Sequence, residues 1–135
     1  MKYILRVSIT TILLCLMSPI LAQGNHHYQT DFSTDNFAER HSKIMNAIGK
    51  DAIALIQGTA GRAGFSVFRQ SNTFYYLTGL ETDHAYLLLN GKSKQTTIYL
   101  PHRDEGREKG QGKILSAEDK DLVKELTGVN NVKGY

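Results

Sequence analysis

The sequence predicts a mixed α/β domain in which helices pack on a sheet. Two segments, 36–48 and 116–127, repeat apolar residues at helical spacing between a capping residue and a following glycine. Between them lie apolar or aromatic runs only a few residues long, the length of strands. Asn90-Gly91 separates two of those runs, the strongest short-range signal for a hairpin.

The first helix is expected to open at Asn36, which can cap it with Glu39 three positions on. Phe37, Ile44 and Ile48 then share one face, and Gly49 ends it. Ala52 to Ile56 is apolar throughout and bounded by Asp51 and Gly58, which reads as a strand buried on both faces and central in the sheet. Phe74-Tyr75-Tyr76-Leu77 is aromatic and strand-like, closed by Thr78-Gly79. As a strand it would place Phe74 and Tyr76 on one face and Tyr75 on the other, in a core covered on both sides. Ala85 to Leu89 and Thr96 to Leu100 form the expected hairpin, which Pro101 ends. The sign-alternating run Arg103, Asp104, Glu105, Arg107, Glu108, Lys109 reads as solvated loop. Ser116, with Asp119 three residues on, opens a second helix carrying Leu122, Val123 and Leu126 on one face and ending at Gly128. Val129 to Val132 starts a further strand. The chain reaches Tyr135 just as that strand should pair, and the expectation is a domain truncated at its carboxyl end.

Ahead of the domain, Lys2 and Arg6 precede the apolar run Val7 to Met17, followed by Ser18, Pro19 and the small residue Ala22. That order is a secretory signal peptide, residues 1–22, cut between Ala22 and Gln23. A retained membrane anchor is the competing reading, although the run falls short of the roughly 20 residues that span a bilayer. Residues 23–35 are polar, carry His26 and His27, and read as a flexible lead. Residues 36–135 are then one incomplete domain. Removing Lys2 and Arg6 from the sixteen basic residues leaves fourteen against thirteen acidic ones. With so little net charge and no basic face interleaved with aromatic platforms, nucleic-acid binding is not expected. The single cysteine, Cys15, lies in the signal segment, so the exported chain must rely on an ordinary core and not on disulfides.

The residues offer little chemistry of their own. Gly58, Gly61 and Gly64 lack the Lys-Ser or Lys-Thr and the opening helix of a phosphate loop, and read as a turn. Ser66 and Ser71 have neither a nucleophile elbow nor an assignable base. His102 with Asp104, Glu105 and Glu108 offers metal-compatible atoms without ligand spacing, and a charged exposed loop accounts for them. His41 and His84 have no partner that spacing identifies.

Two blocks go further. The first is Phe68-Arg69-Gln70-Ser71-Asn72-Thr73-Phe74-Tyr75-Tyr76-Leu77-Thr78-Gly79; the second is Tyr99-Leu100-Pro101-His102-Arg103-Asp104, with Glu108 and Gly112 beyond it. Together, and with the opening helix that carries Arg40, they resemble the amino-terminal domain of the aminopeptidase P family, the creatinase and prolidase-like metallopeptidases, from about Phe37 to Tyr135. The signature positions carried over are Arg69, Gln70, Phe74, Tyr75, Tyr76, Gly79, Pro101, Arg103, Asp104, Glu108 and Gly112. Members commonly have a tryptophan between that Glu and Gly, where this chain has Lys109, Gly110 and Gln111.

The resemblance implies a non-catalytic domain of an exported Xaa-Pro aminopeptidase, periplasmic or secreted, that narrows access to the active site and takes part in homo-oligomer contacts. Its substrates would be peptides with proline in second position, and the membrane would be met only during export. Two divalent metals, usually manganese, would sit in a later pita-bread domain absent from these residues, leaving this chain with no catalytic residue and no cofactor of its own. A stand-alone exported binding module and a fragment of a prolidase or creatinase-like hydrolase are the alternatives. Arg69 and Gln70, read from their chemistry alone, are suited to tying loops to carboxylates or carbonyls.

Overall fold

The computed structural model describes residues 27–61 and 67–135. The cleavage site Ala22/Gln23, His26, and Gly64 and Ser66 of the glycine loop lie outside the described residues. Helix α1 (Thr34–Ile48) is followed by strand β1 (Ile53–Gln57), helix α2 (Asn72–Thr78), the hairpin β2 (Tyr86–Asn90) and β3 (Gln95–Leu100), helices α3 (Glu105–Gln111) and α4 (Lys120–Thr127), and strand β4 (Asn131–Gly134). The sheet runs β1-β2-β3-β4. Its first two pairings are antiparallel and the β3–β4 pairing is parallel, so the mixed sheet with helices expected from the sequence is present. No helix among the described residues is long and apolar enough to cross a membrane.

Helix α1 begins two residues before Asn36, with Ser33 as its N-cap. Asn36 works inside the first turn instead, donating its backbone N–H to Ser33 O at 3.1 Å and its side-chain amide to Ser33 Oγ at 2.9 Å. The buried stripe is Phe37, His41 and Met45, with Ile44 packed beside it. These steps of four keep one face on the core. The preceding residues 27–33, within the expected lead, carry defined contacts: Tyr28 bridges Leu80, Gln29 N–H donates to Gly79 O at 2.9 Å, and Glu81 N–H donates to His27 O at 2.8 Å.

Strand β1 corrects the expectation of a central strand. Among the described residues it pairs only with β2, at the sheet edge, and its faces alternate: Ile53 is 63% exposed and Leu55 61%, while Ala54 and Ile56 pack against the core. A short run of apolar residues has no period, so it cannot by itself say that one of its faces is open.

The aromatic segment is a helix and not a strand. Ser71 caps α2, accepting from Phe74 N–H at 3.3 Å, and Gly79 ends it in the left-handed region with its N–H on Tyr75 O at 2.7 Å. A helical turn moves the inward positions to Phe74, Leu77 and Thr78 and turns Tyr76 outward, 58% exposed. Tyr76 therefore does not share the core with Phe74. The β-preference of three aromatics in a row was outweighed by caps at both ends and by the packing of one helical face. Gly79 is required twice over, since its φ is +66° and a Cβ there would sit 2.7 Å from Gln29 Cγ.

The hairpin follows expectation closely. Asn90 pairs with Gln95, and Asn90 Oδ1 accepts from the N–H groups of Lys92 and Ser93, both at 3.0 Å, which shapes the turn. Gly91 packs so tightly on the α1–β1 connection that an added Cβ would lie 1.8 Å from Gly49 O. The charged run expected as a loop contains α3, a helix with no buried residue, capped by Asp104 and ended by Gly112. Helix α4 starts at Lys120, four residues after Ser116, because Ser116 and Asp119 close a turn ahead of it: Asp119 Oδ2 accepts from both Ser116 N–H, at 3.1 Å, and Ser116 Oγ, at 2.9 Å. Beyond α4, Asn130 Oδ1 accepts from Thr96 N–H at 2.8 Å and Thr96 Oγ1 at 2.9 Å, which sets β4 beside β3.

One layer of core results. Leu87, Leu89, Ile98 and Leu100 on one sheet face meet Phe74 and Leu77 of α2, Met45 of α1 and Val123 of α4. The opposite face carries Ile53, Leu55, Leu88, Tyr86 and Tyr99, with Tyr135 edge-on to Tyr86 at 5.7 Å between ring centroids.

Candidate functional site

The first block is built around Gln70. Its Oε1 accepts from Thr59 N–H at 2.6 Å and from Ser71 N–H at 2.9 Å, while its Nε2 donates to Thr82 O at 2.8 Å. One amide thus fastens the exit of β1, the cap of α2 and the loop before β2. Gly58 lets that amide approach, since a Cβ there would stand 3.0 Å from Gln70 Oε1. Arg69 takes no part in this fastening, being exposed and making no hydrogen bond or ion pair among the described residues. Tyr75 is half-buried, and its phenol is pushed up by burial and by the nearby Glu81 and Asp31 carboxylates.

The second block is an ion-pair network at the exit of β3. Arg103 Nη2 donates to both Asp119 oxygens at 2.8 Å and to Ser116 Oγ at 3.3 Å, and Arg103 N–H donates to Glu118 Oε2 at 2.9 Å. The bond to Asp119 raises the Arg103 pKa further. Burial acts to raise the Asp119 pKa, but the bonds from Ser116 and Arg103 outweigh it and hold the carboxyl below its ordinary value. His102 Nδ1 lies 2.7 Å from Glu118 Oε1, and that bond is the main reason the Glu118 carboxyl falls to about 2. Arg107 reaches back across the fold to Asp83, Nη1 to Oδ1 at 3.0 Å and Nη2 to Oδ2 at 2.5 Å, a bidentate pair with the Asp83 side chain only 5% exposed.

Pro101 O accepts from Ala117 N–H at 3.0 Å, Asp104 Oδ1 accepts from Arg107 N–H at 3.0 Å, and Glu108 Oε1 accepts from Ile114 N–H at 3.1 Å. Gly112 has φ +82° and donates its N–H to Glu108 O at 2.9 Å. Thr82, Asp83, Arg103, Arg107 and Glu108 line a cavity of about 30 Å³, room for a water or two and not for a peptide. Asp83, Arg107, Glu118 and Asp119, which complete the network, were absent from the signature positions. The spacing of Ser116 and Asp119 was a usable signal for one of them. The Arg107–Asp83 pair, 24 residues apart, had none.

These contacts also account for the metal-compatible cluster at 102–108. His102 turns to Glu118, Asp104 caps a helix and Glu108 holds a backbone N–H, so their atoms do not converge. Among the described residues no three His, Cys, Asp or Glu side chains gather as a metal site. The resemblance would place its two metals in a later domain, and none of these side chains is assigned to them.

A family model described as aminopeptidase P, N-terminal domain, matches residues 37–135. A probable Xaa-Pro aminopeptidase of Fusarium vanettenii is 35% identical over 77 residues, 53% of this chain and 16% of that relative. Aminopeptidase P from E. coli with the inhibitor Pro-Leu superposes with a TM-score of 0.65 at 23% identity, over 78% of this chain and 25% of that one. The Zn-substituted E. coli enzyme in complex with product gives 0.64 at 24% identity, over 76% and 24%. The chain thus spans about a quarter of the solved chains it matches, and at that identity the likeness is one of fold.

Proposed function

We propose, from the premise that this chain belongs to the aminopeptidase P N-terminal domain family, that it serves an exported Xaa-Pro aminopeptidase as a shape-giving domain without catalytic groups of its own. The observation that supports this reading is the fate of the polar side chains in the second block. Arg103, Asp104, Arg107 and Glu108 are engaged with Asp119, Asp83 and backbone N–H groups, so they fix loops and leave no acid, base or nucleophile poised for a substrate. A domain of that kind acts by excluding and admitting. It narrows the approach to a metal-bearing catalytic domain, so that peptides with proline in second position are selected before they reach the manganese ions that would polarise the scissile carbonyl. The apolar sheet face around Ile53 and Leu55 favours a part in assembly as well. Export to the periplasm or the medium rests on the signal-like residues 1–22.

The test compares a catalytic domain of this family alone and with this domain joined ahead of it. Joined, the enzyme is expected to keep its kcat on an Xaa-Pro dipeptide while kcat/KM falls for long peptides relative to short ones. Identical length selectivity with and without the domain would refute the access role.

A further inference from the structure

A groove of about 220 Å³ lies between α1 and α2, away from the Gln70 ties and the Arg103 ion-pair network. Gln29, Phe32, Phe37, Arg40, Tyr75 and Tyr76 line it. Its centre is Arg40, whose guanidinium carbon stands 4.2 Å from the Tyr76 ring centroid, 4.8 Å from that of Phe32 and 5.1 Å from that of Phe37. One guanidinium nitrogen, Nη1, is bonded to the carbonyl of Tyr76 at 2.5 Å, which caps the last turn of α2. Arginine carries five N–H donors. Among the described residues no carboxylate lies within ion-pair distance of Arg40, and its acidic neighbour Glu39 is already paired with Lys43 at 2.7 Å. Asp31 and Glu81 act electrostatically on Tyr75, another residue of the lining, and neither is paired with Arg40. The Phe32 backbone is tied down: Gln29 bonds both its N–H and its carbonyl, and the Gln29 N–H is bonded to Gly79 O. Yet Phe32 remains 51% exposed and Tyr76 58%.

An aromatic-walled groove with an arginine whose positive charge has no counter-ion among the described residues calls for a ligand that joins apolar surface to one negative charge. We propose that this groove binds the carboxyl end of a peptide, the terminal carboxylate on Arg40 and the last side chain between Phe32 and Tyr76. The size agrees: an apolar cavity of about 150 Å³ takes up benzene, so the groove has room for an apolar side chain and the carboxylate beside it. The planar fork of arginine suits a carboxylate, and the surrounding rings lower the local polarity in which that contact forms.

The experiment titrates the 135-residue chain, ¹⁵N-labelled, with acetyl-Ala-Phe bearing a free carboxylate and with the same peptide as its carboxamide, following amide shifts by NMR. The free acid is expected to shift residues 29–40 and 72–76, and the carboxamide to bind at least about tenfold more weakly, the loss of one charge-assisted contact. Tyr76→Ala is expected to weaken both peptides by the same factor. Arg40→Gln is expected to bring the acid down to the carboxamide's affinity and leave the carboxamide unchanged. Equal binding of acid and carboxamide by the unaltered chain overturns the proposal, whether or not Arg40→Gln folds. So do shifts that map outside the groove, or no shift with either peptide.

Discussion

Replacing Phe74 and Tyr76 separately by alanine distinguishes a helix from a strand over residues 72–78. Phe74 is fully buried, in the same core cluster as Leu77, Leu80 and Leu87, so Phe74→Ala removes a whole ring from a site with no solvent to refill it. Such a truncation costs about 3–5 kcal/mol. With a urea slope of about 1.5 kcal/mol/M for a domain of this size, the midpoint should fall by about 2–3 M. Tyr76 is two residues away and 58% exposed, with Arg40 over its ring. Tyr76→Ala forfeits that cation–π contact and some surface packing, about 1 kcal/mol, and should move the midpoint by less than about 1 M. Urea titrations followed by circular dichroism measure both. If Phe74→Ala leaves no folded protein, the milder Phe74→Leu preserves the ranking. A strand would bury both side chains on one face, so comparable losses for the two alanine variants would refute the helical packing.

Two further perturbations test the supports of the fold. His41 is 1% exposed, and its Nε2 lies 2.8 Å from Leu77 O while Nδ1 has no hydrogen-bond partner among the described residues. Burial, with the Arg40 charge adding to it against the opposing bond to Leu77, lowers its pKa. The unfolded chain then takes up the proton first as pH falls, so the contribution of neutral His41 is intact above about pH 6.5 and is lost progressively below it. Urea midpoints should fall from pH 7 to pH 5, and His41→Gln should flatten that slope; an unchanged slope would contradict a buried neutral imidazole. Gly91→Ala places a methyl 1.8 Å from Gly49 O and should destabilise by about 1–3 kcal/mol or more, read as a drop in Tm, whereas an unaffected Tm would show that the hairpin turn does not rest on the α1–β1 connection.

Legibility in the sequence followed the range of the forces involved. The β2–β3 hairpin was readable because Asn90 and Gly91 set the turn locally, and α1 because its inward face recurs at helical spacing from Phe37 onward. Residues 72–78 carried both a helical message, Ser71 at the cap and Gly79 at the stop, and an aromatic one that reads as strand; tertiary packing decided between them. Helix α3 has no buried side chain to give it a period and is marked only by Asp104 and Gly112 at its ends. The edge position of β1 depends on which strands lie beside it, which its own five residues do not encode. At the candidate site, Gln70 was recognisable as a tie between loops. The partners of Arg103 and Arg107 lie 16 and 24 residues away and become visible only when β3, α3 and α4 are brought together.

That these residues supply shape and not chemistry is tested most directly by asking whether the chain alone hydrolyses a peptide. The purified chain is incubated with manganese and an Xaa-Pro peptide, metal binding is followed by calorimetry, and products are followed by mass spectrometry. No stoichiometric manganese uptake and no release of the first residue are expected, because no ligand set among the described residues converges to activate a water. Metal-dependent release of that residue at defined stoichiometry would contradict the shape-giving role.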